Sequence, residues 1–304
     1  MKTLITGAFP LNEQQKTELE RLGLAITVHP DERMPVAEPE QYKAVICNGL
    51  FLYNPISAFR SLKYIQLTSA GLDRAPLDYI ESHNLVLCSA KGVYSIPMSE
   101  FALCGVLQLY KKAAFFRQNQ AIGSWQKQRD LRELFGKRVT VVGCGSVGTH
   151  CAQRFSAFSC VVTGIDLYPA KNPAFAQVLP LTELDAQLPQ TDVLVLTLPL
   201  TEKTRHCMDE KRFALMKKDA VLVNIARGAV VDADALRSWL SENPASGAVL
   251  DVFETEPLPS DDPLWTLENA ILTPHNSFVS VDNAERLYRL IYRNFQEWSA
   301  GEAK

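Results

Sequence analysis

Arg227 lies in Asn224-Ile225-Ala226-Arg227-Gly228, Glu256 in Asp251-Val252-Phe253-Glu254-Thr255-Glu256-Pro257, and His275 in Thr273-Pro274-His275-Asn276. Each segment follows a short apolar run of the kind that forms a buried strand. A planar guanidinium offers paired donors, enough to anchor a carboxylate and polarise a neighbouring carbonyl. Imidazole titrates near neutral pH and can pass a proton, and a carboxylate beside it holds its orientation. With a hydride donor at hand, this trio suits reduction of a 2-keto acid. Taken singly, the arginine reads as a turn residue, the glutamate as a solvated charge and the histidine as a loop residue. Three such groups at successive strand ends point instead to one site.

A hydride donor has an evident seat upstream. The strand-like run Val139–Val142 leads into Gly143-Cys144-Gly145-Ser146-Val147-Gly148, and a helical pattern follows. In such a fingerprint Gly143 permits the tight turn, Gly145 the close approach of a pyrophosphate, and Gly148 the packing of helix on strand. Amides near Ser146 and Val147 then face the phosphates, aided by the helix dipole. Asp166 ends the next strand 18 positions after Gly148 (166 − 148). It can accept both hydroxyls of the adenosine ribose and would repel an added phosphate, and no basic residue follows before Lys171. The expected cofactor is therefore NAD, with NADP disfavoured. Cys144 reads as a small residue that fits between the glycines, whose oxidation would block the cofactor.

These groups need strands to carry them. Candidate strands are Lys2–Thr6, Ala25–Val28, Ala44–Cys47, Tyr64–Leu67 and Val86–Cys88, then Val139–Val142, Val161–Ile165, Val193–Leu196, Ala220–Asn224, Ala248–Leu250 and Ile271–Leu272. Helical spacing appears over Glu13–Leu22, Pro55–Leu62, Pro97–Arg117 and Val281–Trp298, with Ser280 or Asp282 as a cap for the last. The alternation predicts an α/β chain with largely parallel sheets. Because the fingerprint falls mid-chain, a complete sheet precedes it and a helix is left over at the end. The expected division is a dinucleotide-binding domain over residues 96–275, and a second domain from 1–95 plus 276–304. The cleft between two such domains is the expected place for a substrate.

Composition narrows the class. A chain of 304 residues with 47% hydrophobic and 21% charged residues suits two folded domains rather than a disordered segment. The net charge of −3 gives no reason to expect nucleic acid or an anionic membrane as partner. No apolar run approaches about 18 residues, so no spanning helix is expected. Seven scattered cysteines without zinc-like spacing fit reduced thiols and a cytoplasmic enzyme. No ligand cluster suggests a metal.

The chain resembles the D-isomer-specific 2-hydroxyacid dehydrogenase family. The likeness runs through Gly143–Gly148, Leu198-Pro199, Asn224–Asp232, Asp251–Pro257 and Thr273–His275, and reaches Ser69–Asp73 and Ser99-Glu100. It implies two doubly wound parallel-sheet domains, a Rossmann NAD-binding domain and a flavodoxin-like substrate domain. It implies NAD-dependent interconversion of a small 2-keto acid and its D-2-hydroxy acid, with Arg227 and Glu256 assisting and His275 donating and accepting the proton. Ser69, Ala70 and Gly71 would offer backbone amides to the substrate carboxylate. Ser146, Val147, Asp166, Leu198, Pro199, Thr204, Ala226 and Asp251 would line the dinucleotide, Asp251 at the nicotinamide carboxamide. A homodimer paired through an arm at Ala114–Leu134, with Trp125, is also implied.

Some positions depart from the family pattern. Where small residues usually follow the histidine, this chain has Asn276-Ser277-Phe278, and Phe278 is expected to pack under the terminal helix. Tyr94 and Met98 stand in a loosened segment where specificity is set, with Phe51, Leu52 and Phe278 as further pocket candidates. His206 is read as a surface loop residue and Lys111-Lys112 as a solvated patch. Two other functions share the scaffold. An NADH-sensing co-repressor would carry an interaction segment, and none is evident. A formate dehydrogenase would have glutamine where Glu256 stands.

Overall fold

The computed structural model describes residues 1–302, which divide into two compact units: residues 1–94 with the chain from Ser280 onward, and Ser95–Val279. In the first, β1 (Lys2–Thr6), α1 (Glu13–Arg21), β2 (Ala25–His29), β3 (Ala44–Cys47), β4 (Tyr64–Leu67), α2 (Leu77–Ser82) and β5 (Val86–Cys88) follow in turn. Their strands form a parallel sheet ordered β2-β1-β3-β4-β5, the flavodoxin-like order. Strands β3 and β4 are buried at every position, as a sheet covered on both faces requires. A capping box opens α1: the Asn12 side chain accepts the Gln15 amide, and the Gln15 side chain accepts the Asn12 amide.

The helix expected over Pro55–Leu62 is instead a 3-10 turn at Ile56–Ala58. Its buried residues Ile56, Phe59 and Leu62 are spaced by three, which suits three residues per turn better than 3.6.

The second unit begins with α3 (Ser95–Tyr110) and α4 (Ala113–Ala121), and continues with β6 (Arg138–Val142), α5 (Ser146–Ala157), β7 (Val161–Asp166) and β8 (Gln177–Pro180). Then come α6 (Leu184–Gln187), β9 (Val193–Leu196), α7 (Glu210–Leu215), β10 (Val221–Asn224), α8 (Ala233–Glu242), β11 (Gly247–Leu250) and β12 (Ala270–Leu272). The seven strands are all parallel, in the order β12-β11-β10-β9-β6-β7-β8. One face packs on α7 and α8 through Phe213, Leu236 and Trp239, the other on α3 and α5 through Val106, Tyr110 and Phe155. Helix α3 lies so close that a Cβ at Gly105 would sit 2.5 Å from the Val249 side chain.

Three differences from the sequence expectation arise here. The helix from Pro97 does not run to Arg117: it stops at Tyr110, and Lys112 adopts a left-handed φ of 48° before α4 starts. Lys111-Lys112 is accordingly more than a solvated patch. Lys111 Nζ donates to the Arg132 carbonyl at 2.7 Å and Lys112 Nζ pairs with Asp130 at 2.5 Å, which ties down the segment after α4. Strand β8, unforeseen, is a four-residue edge strand ending in Pro180, where the missing N–H costs no ladder bond.

The terminal helix α9 (Asn283–Glu302) belongs to the first unit. It buries Leu287, Ile291 and Phe295 with Ile5, Leu19 and Tyr64. Tyr64 meets the rings of Phe295 and Trp298, each at 4.6 Å between centroids. Val281, expected on its apolar face, precedes the helix and is 97% exposed. Among the described residues no helix is long and apolar enough to cross a membrane.

Candidate active site

In the seven-stranded sheet Asn224, Leu250 and Leu272 pair in one row, so β10, β11 and β12 end level with one another. Their carboxyl ends deliver the three segments that the sequence singles out. Asn224 accepts the Ala226 amide at 3.1 Å and donates to the Arg227 carbonyl at 3.1 Å, a tight turn that brings Arg227 to the sheet edge. The Arg227 guanidinium is half-buried, and its Nη1 donates to the Ala226 carbonyl at 2.8 Å.

Asp251, one residue beyond β11, is wholly buried. Its Oδ1 accepts the Thr273 hydroxyl at 2.6 Å and the Asn276 amide at 2.7 Å, and its Oδ2 accepts the Ser277 amide at 2.9 Å. One carboxylate thus organises the loop that carries His275. The His275 amide donates to the Asp251 carbonyl at 2.8 Å, and its φ is 51°. A left-handed histidine is uncommon and persists where the surroundings over-determine it, as those bonds do.

The His275 ring meets Glu256: Nδ1 lies 2.8 Å from Oε2, while Oε1 accepts the Phe253 amide at 3.0 Å. Both glutamate oxygens are used, and Nε2 is left as the ring nitrogen directed away from the glutamate. The Phe278 ring stands edge-on to the His275 ring at 6.1 Å.

The second feature of the edge is the glycine-rich turn. Strand order reverses between β6 and β9, the switch point at which open α/β sheets bind ligands. Gly143 has φ 101°, and a Cβ there would lie 2.7 Å from the Leu198 amide nitrogen. A Cβ at Gly148 would lie 1.9 Å from the Gly143 carbonyl oxygen, so helix and turn can meet only without side chains. At Gly145, by contrast, a Cβ would enter open space, and α5 starts there with no side-chain cap on its amides. These features fit a phosphate-bearing ligand.

Asp166 is fixed by two amides, accepting from Cys144 at 2.6 Å and from Tyr168 at 2.9 Å. Burial, with the Asp166 carboxylate nearby, pushes the Cys144 thiol up to about 12, as suits a small residue filling the turn. Leu198 and Ala226 are buried beside this edge and Pro199 is exposed. Thr204 is fully buried: its hydroxyl accepts the Thr201 amide at 2.7 Å and donates to the Pro199 carbonyl at 2.7 Å, which shapes the loop after β9.

In the first unit Ser69, Ala70 and Gly71 follow β4. Ser69 Oγ donates to the Gly71 carbonyl at 2.9 Å, and Ala70 is exposed. Tyr94 Oη donates to the Thr68 carbonyl at 2.5 Å, which closes this turn. Sequence reasoning missed one pair. His206 Nε2 lies 2.5 Å from Glu254 Oε1, two residues from Glu256. No spacing rule links positions 48 apart; only the meeting of the β9 and β11 loops reveals them.

Residues 103–277 match the family model described as D-isomer specific 2-hydroxyacid dehydrogenase, NAD binding domain. The chain is 32% identical to a glyoxylate reductase of Thermofilum pendens over 255 residues, 81% of this chain and 75% of that one. It is 31% identical to a D-3-phosphoglycerate dehydrogenase of Methanocaldococcus jannaschii over 94% of this chain but only 55% of that longer protein. Among solved structures it resembles a D-isomer specific 2-hydroxyacid dehydrogenase of Xanthobacter autotrophicus Py2 in complex with NADPH and MES. That likeness has a TM-score of 0.81 and 26% identity, and covers 99% of this chain and 95% of the other.

The chain belongs to the D-isomer specific 2-hydroxyacid dehydrogenase family. It is an oxidoreductase acting between a nicotinamide dinucleotide and a small hydroxy or keto acid, and Ser95–Val279 contains its dinucleotide-binding domain.

Proposed function

We propose that the chain reduces a small 2-keto acid to the D-2-hydroxy acid with NADH, using Arg227, Glu256 and His275. The observation that carries this reading is the 2.8 Å His275–Glu256 pair on the sheet edge that also bears Arg227. The dinucleotide supplies the hydride. Arg227 holds the substrate carboxylate and polarises its ketone. His275 delivers a proton from Nε2 to the carbonyl oxygen, while Glu256 on Nδ1 holds the ring in place. The anchored Asp166 carboxylate favours NAD, since an added ribose phosphate would meet its charge.

The cofactor set is Gly143, Gly145, Ser146, Val147, Gly148, Asp166, Leu198, Pro199, Thr204, Ala226 and Asp251. Seven free thiols support a reducing, cytoplasmic setting. Ile122, Trp125 and Phe135 are 77%, 94% and 77% exposed along the segment after α4, which suits pairing with a second copy as a homodimer.

A panel of glyoxylate, pyruvate, hydroxypyruvate and bulkier keto acids, followed by NADH absorbance and repeated with NADPH, tests this reading. We expect turnover of at least one small member, faster with NADH. Arg227→Ala should lower kcat/KM by about 10²–10³-fold, as removal of a charge-stabilising donor does, with NADH affinity kept. Unchanged turnover in that variant refutes the assignment.

A further inference from the structure

The pair missed in the sequence carries a role beyond the three residues proposed to react. His206 joins three loops. Its amide donates to the Ala229 carbonyl at 2.8 Å, which ties the β9 loop to the turn that follows Arg227. Its ring bonds Glu254 in the loop that carries Glu256. The same two loops are pressed together at Gly228, where a Cβ would lie 1.9 Å from the Phe253 carbonyl carbon. His206 itself has φ 47°, a conformation that the amide bond to Ala229 helps to hold.

From this junction we infer that His206 is a positioning residue: its bond to Glu254 latches the Asp251–Pro257 loop so that Glu256 faces His275. The chain of contacts is short. Glu254 is fixed by His206, Phe253 beside it rests on Gly228 and donates its amide to Glu256 Oε1, and Glu256 Oε2 then meets His275. Without the imidazole, the Glu254 carboxylate can turn into the cavity of about 280 Å³ that it and His206 border together with Asp232, Arg237 and Asp262. The backbone at 253–256 is then free to shift.

Side chains of His206 and Glu254 are 42% and 36% exposed, so the pair contributes little to stability. Its leverage is geometric, since a displacement of about 1 Å at a reacting group can cost about 10²-fold in rate. This inference rests on the proposed roles of Glu256 and His275.

The test compares wild type, His206→Ala, Glu254→Ala, Glu254→Gln and the double alanine variant. Hydrogen exchange of the Phe253 amide reads the loop without any turnover. We expect at least about tenfold faster exchange in His206→Ala, with Tm moved by less than about 2 °C. In the keto-acid assay kcat should fall about tenfold or more, with NADH Kd within about twofold. Glu254→Gln, which keeps an acceptor for His206, should retain most activity, and the double variant should be no worse than either single one. Unchanged Phe253 exchange, or losses that add in the double variant, overturns the latch. A wild type that reduces no keto acid refutes the proposed function instead, and exchange still decides the latch.

Discussion

Replacing His275 by glutamine is expected to lower kcat/KM for keto-acid reduction by about 10³-fold while NADH binding stays within about twofold. Glutamine can still bond Glu256 through its amide, so the loop survives, but it has no proton to give at the carbonyl oxygen. The direction follows from which nitrogen is used. Nδ1 is taken by Glu256 at 2.8 Å, so proton delivery falls to Nε2, the ring nitrogen directed away from the glutamate. Glu256→Gln should cost less, about 10–10²-fold, because it removes orientation and charge but leaves the imidazole in the site. Stopped-flow absorbance with saturating NADH separates the two: a single-turnover rate unchanged in the glutamine variant at 275 would remove the histidine from the mechanism.

That site was readable because its parts follow strands, and buried parallel strands announce themselves as apolar runs. Val193–Leu196 and Val221–Asn224 are buried at every position, so the residues just beyond them had to emerge at one edge. The glycines were legible for a similar reason. At positions 143 and 148 the backbone passes where no Cβ fits, a constraint no other residue type meets.

The features that sequence hid are those set by contacts across loops. His206 and Glu254 find each other only when the sheet order places the β9 and β11 loops side by side. Phe278 is apolar and follows the His275 segment, and its edge-on place beside that ring depends on the Asp251 bonds that turn the loop. The break at Lys112 lies within a helix-favouring run, and the contacts made there come from the segment after α4, where Lys112 pairs with Asp130 and Lys111 with the Arg132 carbonyl.

Asp251→Ala is expected to lower stability by about 3–5 kcal/mol, or about 10 °C in Tm, and to reduce activity well below the melt. The carboxylate is fully buried and accepts three bonds, from the Thr273 hydroxyl and the Asn276 and Ser277 amides. Removing it leaves three donors without their acceptor, and an unmet buried donor costs about 1–3 kcal/mol. Asparagine should recover only part of this, because its NH₂ would face one of the same donors. The activity loss has a separate cause. His275 lies between Thr273 and Asn276, and without both anchors its amide bond to the Asp251 carbonyl must hold it at φ 51° with far less support. Calorimetry of both variants, with keto-acid turnover measured at 20 °C or more below each Tm, checks the two effects independently. An alanine variant that melts with the wild type would show that the buried carboxylate is not what shapes this loop.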